Sequence, residues 1–128
     1  MLKFRYHSYH KIIVGLIIIG WAGFHFAQRD AIGIYYDTGK LKRSGSAEKG
    51  KNHGVWKWYY ENGTEKMKGV FENGKREGEW NTWDENGNLL TQGYYENDQL
   101  NGEFITWNAH GEIVEKLHYK NDRLENTQ

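Results

Sequence analysis

Residues 54–77 read GVWKWYYENGTEKMKGVFENGKRE, and residues 78–101 read GEWNTWDENGNLLTQGYYENDQLN. Laid on each other, the two stretches match at Gly54 and Gly78, Trp56 and Trp80, Tyr59 and Trp83, and Asn62-Gly63 and Asn86-Gly87. Phe71 and Tyr95, and Asn73 and Asn97, match as well. Self-similarity at a fixed period marks a repeat architecture, in which one small supersecondary unit stacks on copies of itself. Downstream the columns continue through Gly102, Phe104, Trp107, Gly111, Tyr119 and Asn121, and upstream through Tyr35 and Gly39. A further column, Gly45, Gly69 and Gly93, is broken by Leu117. Four units of 24 residues fit, at 30–53, 54–77, 78–101 and 102–125, between an unlike segment 1–29 and a tail 126–128.

Each unit holds two turn signals. The first is Asn62-Gly63, Asn86-Gly87, His110-Gly111 and the weaker Thr38-Gly39; the second is Asn73-Gly74, Asn97-Asp98, Asn121-Asp122 and Lys49-Gly50. Asn-Gly between aromatic and β-branched residues is the strongest local sign of a hairpin, because a type I′ turn needs positive φ at both central residues. A two-residue loop at Asn62-Gly63 places Trp56 opposite Gly69, Trp80 opposite Gly93 and Phe104 opposite Leu117. A large ring lying over a glycine fills the gap left by the missing side chain. The fold expected is all-β, an elongated single-layer antiparallel sheet of about four hairpin repeats. Columns recurring every two strands, about 9.6 Å apart, form ring ladders in place of a globular core. The ladder residues are Trp56, Tyr59, Trp80, Trp83, Phe104 and Trp107.

The pattern Gly-x-Trp-x-x-(Tyr/Trp)-x-x-Asn-Gly followed by (Tyr/Phe)-x-Asn-Gly, seen at Gly54 to Gly63 and Phe71 to Gly74, resembles the variant MORN repeat of bacterial proteins. The resemblance covers 30–125 and implies a single-sheet repeat protein that binds partners. Some bacterial members are classed as antitoxins of polymorphic toxins, which implies a toxin domain as one kind of partner; others are linked to membranes and scaffolding.

The 128 residues carry Lys+Arg 17 against Asp+Glu 17 and no cysteine. Zero net charge removes the signature of a dedicated nucleic-acid binder, and nucleic acid is not an expected partner. Residues 1–29 contain Lys3, Arg5, Lys11 and Arg29 and no acid, around the uncharged run 12–27, IIVGLIIIGWAGFHFA. Sixteen helical residues reach about 24 Å, a little short of a hydrocarbon core of roughly 30 Å. The run reads either as a preceding hydrophobic helix that anchors the chain in a bacterial inner membrane, or as a signal peptide cleaved near Ala22. The first makes a single-pass protein and the second a secreted or periplasmic one. The basic amino end keeps to the cytoplasm, so the repeats face outward in both.

No nucleophile elbow, P-loop or zinc-protease motif occurs, and His53, His110 and His118 lack metal-ligand spacing. An enzyme, a cofactor and a metal are not expected. The aromatics that the repeat does not explain are Trp58, Tyr60 and Tyr94, which stand where other units have Thr, Asp or Asn, and Val or His. Exposed rings of this kind serve protein hot spots and sugar stacking alike. Charge is uneven by unit: 30–53 is +2, 54–77 is +1, 78–101 is −5 and 102–125 is −2. Glu79, Asp84, Glu85, Glu96 and Asp98 supply the −5 and are expected to hold a basic partner surface. The function expected is therefore non-enzymatic protein binding at the cell envelope. The alternatives are a module for envelope carbohydrate and a membrane-associated scaffold. Glu115, Lys116, Lys120 and Arg123 charge the last edge strand and disfavour self-association.

Overall fold

The computed structural model describes residues 30–125. The expected hydrophobic segment 12–27, the site near Ala22 and the tail 126–128 lie outside the described residues; among those described, no helix is long and apolar enough to cross a membrane.

The described chain is a run of strands: β1 (Asp30–Tyr35), β2 (Leu41–Glu48), β3 (Lys51–Tyr59), β4 (Glu65–Glu72), β5 (Lys75–Trp83), β6 (Leu89–Glu96), β7 (Gln99–Trp107), β8 (Ile113–Lys120) and β9 (Arg123–Leu124). They form one open sheet in sequence order, and the pairs from β2 to β9 are antiparallel. Both turn signals are used, one at each end of the strands.

The two turns differ from the expectation. At the second signal both central residues have positive φ, as at Asn73 (50°) and Gly74 (81°) and at Asn97 (51°) and Asp98 (69°), and Glu72 faces Lys75 across a two-residue loop. That is where the type I′ geometry sits. At the first signal only the glycine is left-handed, Gly63 at 90°. Tyr60 N–H donates to Thr64 O and Gly63 N–H to Tyr60 O, which makes a three-residue loop with an αL glycine. Such a loop pairs Tyr59 with Glu65, and a bulge between Trp58 and Tyr59 then moves the register by one. The loop and the bulge cancel, so Trp56 still pairs with Gly69, Trp80 with Gly93 and Phe104 with Leu117.

A second bulge falls on the other side of each ring. Ser44 to Ser46 on β2 spans His53 to Lys57 on β3, and the same irregularity recurs between β4 and β5 and between β6 and β7. Bulges re-aim side chains. The ring nearest each glycine is the one on the following strand: a Cβ on Gly45 would meet Trp56 at 2.2 Å, one on Gly69 would meet Trp80 at 2.1 Å, and one on Gly93 would meet Phe104 at 2.9 Å. This corrects the expected cover of Gly69 by Trp56.

Among the described residues the buried apolar side chains are Ala47, Trp56 and Trp80. Stability therefore rests on rungs between neighbouring hairpins. Gly74 N–H donates to Asn52 O, Asp98 N–H to Arg76 O and Asp122 N–H to Leu100 O, each tying a turn to the strand before its own hairpin.

Candidate functional site: an aromatic trough

On one face the rings interleave across strands. Phe71 meets Trp56 edge-on at 6.2 Å and Trp80 edge-on at 5.0 Å, and Trp80 meets Tyr95 edge-on at 6.2 Å. Trp58 packs between the two buried indoles, 5.9 Å from Trp56 and 5.8 Å from Trp80. Offset and edge-on pairs of this kind suit the ring quadrupole. Equivalent rings therefore do not stack directly on each other, since Phe71 bridges Trp56 and Trp80. Phe104 meets Tyr119 in the same edge-on way at 6.4 Å.

Two adjoining hollows open above this row. One, of about 260 Å³, is lined by Trp58, Met67, Phe71, Trp80, Tyr95 and Phe104 among others. The second, of about 340 Å³, shares Trp58, Met67 and Thr82 with the first and adds Tyr36, Lys42, Tyr60, Lys66 and Leu90. Together they form a trough from β2 to β7.

Tyrosines shape its turn end. The Tyr36 hydroxyl donates to Tyr59 O at 2.7 Å and the Tyr60 hydroxyl to Trp83 O at 2.8 Å, so each ring reaches from its own hairpin onto the next. Lys42 Nζ stands 5.3 Å from the Tyr36 ring and Lys66 Nζ 5.2 Å from the Tyr60 ring. Arg76 lies 4.0 Å over Tyr95 and its Nε donates to Asp98 Oδ1 at 2.6 Å. Cation–ring contacts fix these side chains above the aromatic floor.

The structure brings Trp58 and Tyr60 into the trough, both half-buried and both with a packing role. Tyr94 is 52% exposed and pairs across strands with Glu79, apart from the trough lining. The acidic residues are dispersed. Asp84 and Glu85 lie in the turn after β5, while Glu96 and Asp98 lie around the turn after β6, at the far end of an eight-residue strand about 25 Å long. They form no single patch.

Two of these acids have local employment. Asp84 accepts from Asn86 N–H and Asn88 N–H and from the Asn88 amide, which holds its carboxyl below the usual range, the Asn88 side chain contributing most. The Arg76 guanidinium does the same for Asp98. Asn86, Gly87, Asn62, Gly63 and Gly111 sit in the three-residue loops, as turn residues. Tyr59 and Trp83 line the larger hollow, and Trp107 pairs with Ile113 at the matching strand end.

Sequence reasoning missed Phe71, Tyr95, Met67, Lys42 and Lys66 as trough residues. The lysines leave a signal: Tyr36 with Lys42 and Tyr60 with Lys66 recur 24 apart, then become Asp84 with Leu90 and Asn108 with Val114.

The MORN repeat variant family matches residues 52–73, 76–97 and 100–121, stretches that start 24 apart. The chain belongs to the MORN repeat variant family. Repeats of this family generally bind proteins or membranes. The three matched stretches carry β3 to β8, and the trough runs along the first two of them, back onto β2 and forward to Phe104 on β7 in the third. No curated protein and no solved structure matches the chain.

Proposed function

We propose that this MORN-variant sheet is a non-enzymatic protein-binding surface whose working face is the aromatic trough. The observation that supports it is the trough itself: an open hollow lined by Trp58, Phe71 and Tyr95 around the buried Trp80, wide enough for side chains, in a trough that reaches across five strand intervals from β2 to β7. Aromatic and Arg side chains around a hollow are the composition of binding hot spots. Capture of a toxin is a narrower form of this reading and rests on the family's antitoxin members. Hydroxyl-radical footprinting of the full chain, with and without a co-purified partner, tests it. Protection is expected at Trp58, Met67 and Tyr95; protection at Tyr94 and Glu79 alone would move the site to the other face.

The carbohydrate reading draws on Trp58 and Tyr60 sharing one hollow. Sugar binding there is insensitive to salt and lost in Trp58→Ala, which glycan pull-down at two salt concentrations resolves.

We place the protein at a bacterial inner membrane through residues 12–27, with the repeats outside the cytoplasm. Alkaline extraction of membranes and sequencing of the mature amino terminus test this: release by alkali, or a start after Ala22, replaces the anchor with a cleaved signal.

A further inference from the structure

The trough is cationic at one end. Lys42 and Lys66 both line the larger hollow, and no carboxylate lines either hollow. Among the described residues neither lysine is paired with an acid, whereas Lys57, Arg76 and Lys116 are. The two lysines hold equivalent places in successive hairpins, so their backbones lie about 9.6 Å apart, with Trp58 and Met67 on the floor between them. The tyrosine beneath each is pinned by its hydroxyl to the next hairpin. That supplies two cations in fixed places flanking an apolar floor.

From this charge complementarity we infer that the trough takes an extended peptide segment in which Asp or Glu alternates with Phe or Leu, its carboxylates held by Lys42 and Lys66 and its apolar side chains on Trp58 and Phe71. Side chains alternate along an extended chain, so apolar groups that face the rings leave the acids on the outer face, where the long, exposed side chains of Lys42 and Lys66 reach over the segment to meet them. Five strand intervals, about 24 Å, take roughly seven extended residues. A bilayer surface cannot follow a recess between two tyrosine rings; a single extended chain can. This inference rests on the proposed protein-binding role and narrows its partner.

The experiment uses the full-length chain in detergent. The probes are a peptide of about eight residues alternating Asp with Phe and Leu, its twin with Lys for Asp, and its twin with Ser for Asp. Binding is read by tryptophan fluorescence and calorimetry. The acidic peptide is expected to bind at least about tenfold tighter than either twin, and to weaken as salt rises. Lys42→Glu with Lys66→Glu, both exposed and checked for fold by circular dichroism, is expected to abolish that preference and favour the Lys twin. Equal binding of the acidic and Ser peptides, unchanged by the double variant, overturns the acidic partner while leaving the trough as a protein site. Absence of binding by all three peptides, with footprint protection away from Trp58, overturns both readings. Lysine-dependent binding to phosphatidylserine vesicles with no acidic-peptide binding assigns the lysines to a membrane and overturns the inference.

Discussion

Trp80 lies across Gly69 so closely that a methyl group on the glycine would stand 2.1 Å from the indole Cδ2. The glycine belongs to β4 and the ring to β5, and the bulge between the two strands brings them together. The same relationship joins Trp56 to Gly45 and, more loosely, Phe104 to Gly93.

Gly69→Ala is therefore an overpacking substitution against a ring that is only 7% exposed. It is expected to cost about 1–3 kcal/mol, with Gly45→Ala similar and Gly93→Ala milder because its contact begins at 2.9 Å. Urea unfolding of the three variants gives the order; an equal cost at all three would contradict ring cover as the cause.

Lys49 holds φ at 50° in the type I′ turn between β2 and β3, where the equivalent residues are Asn73, Asn97 and Asn121. A left-handed conformation costs an ordinary side chain roughly 1–2 kcal/mol. Lys49→Asn is expected to raise stability by about 0.5–1 kcal/mol and Asn73→Ala to lower it by about 1 kcal/mol. Thermal unfolding of the pair checks both signs.

Asp98 holds its proton less readily in the fold than in the unfolded chain because Arg76 donates to it. The stability it adds is thus complete above about pH 4 and is lost as pH falls through and below that value. Its side chain is 51% exposed, so solvent screening leaves a shallow acid limb and not a full transition. Asp98→Asn is expected to flatten that limb; an unchanged acid profile would show that the pair contributes nothing.

Asp84→Asn should keep its turn. Asn108 occupies the same place one repeat later and accepts from His110 N–H at 2.9 Å and Glu112 N–H at 3.0 Å, as Asp84 accepts from Asn86 and Asn88. Hydrogen-exchange protection of Asn88 N–H should persist in the variant.

Tyr60→Phe removes the hydroxyl that reaches Trp83 O at 2.8 Å and leaves the ring. The expected cost is about 1 kcal/mol. Asymmetric loosening of the β3–β4 and β5–β6 turns, read by hydrogen exchange, separates this bond from a general packing loss.

The pairing of Trp56 with Gly69 was legible from residue spacing because a three-residue loop and a one-residue bulge together give the same register as the two-residue loop inferred from Asn62-Gly63. The turn type was not legible there. Asn-Gly occurs at both ends of the hairpin, at Asn62-Gly63 and Asn73-Gly74, and only the flanking backbone bonds decide which pair takes positive φ at both residues.

By itself the chain's order of residues determined the 24-residue period, the strands, the antiparallel sheet and the ring–glycine registers, because turn chemistry and aromatic spacing act within a few residues. Only the tertiary structure decided which glycine each ring covers, since that depends on bulges between strands. It separated Asp84 and Glu85 from Glu96 and Asp98 to opposite strand ends, and it set Lys42 and Lys66 over tyrosines beside Trp58. Ring cover of the glycines is a relation between hairpins, which nothing local in either hairpin specifies, and the lysine–tyrosine contacts, though each lies within one hairpin, meet across Trp58 only when the hairpins pair side by side.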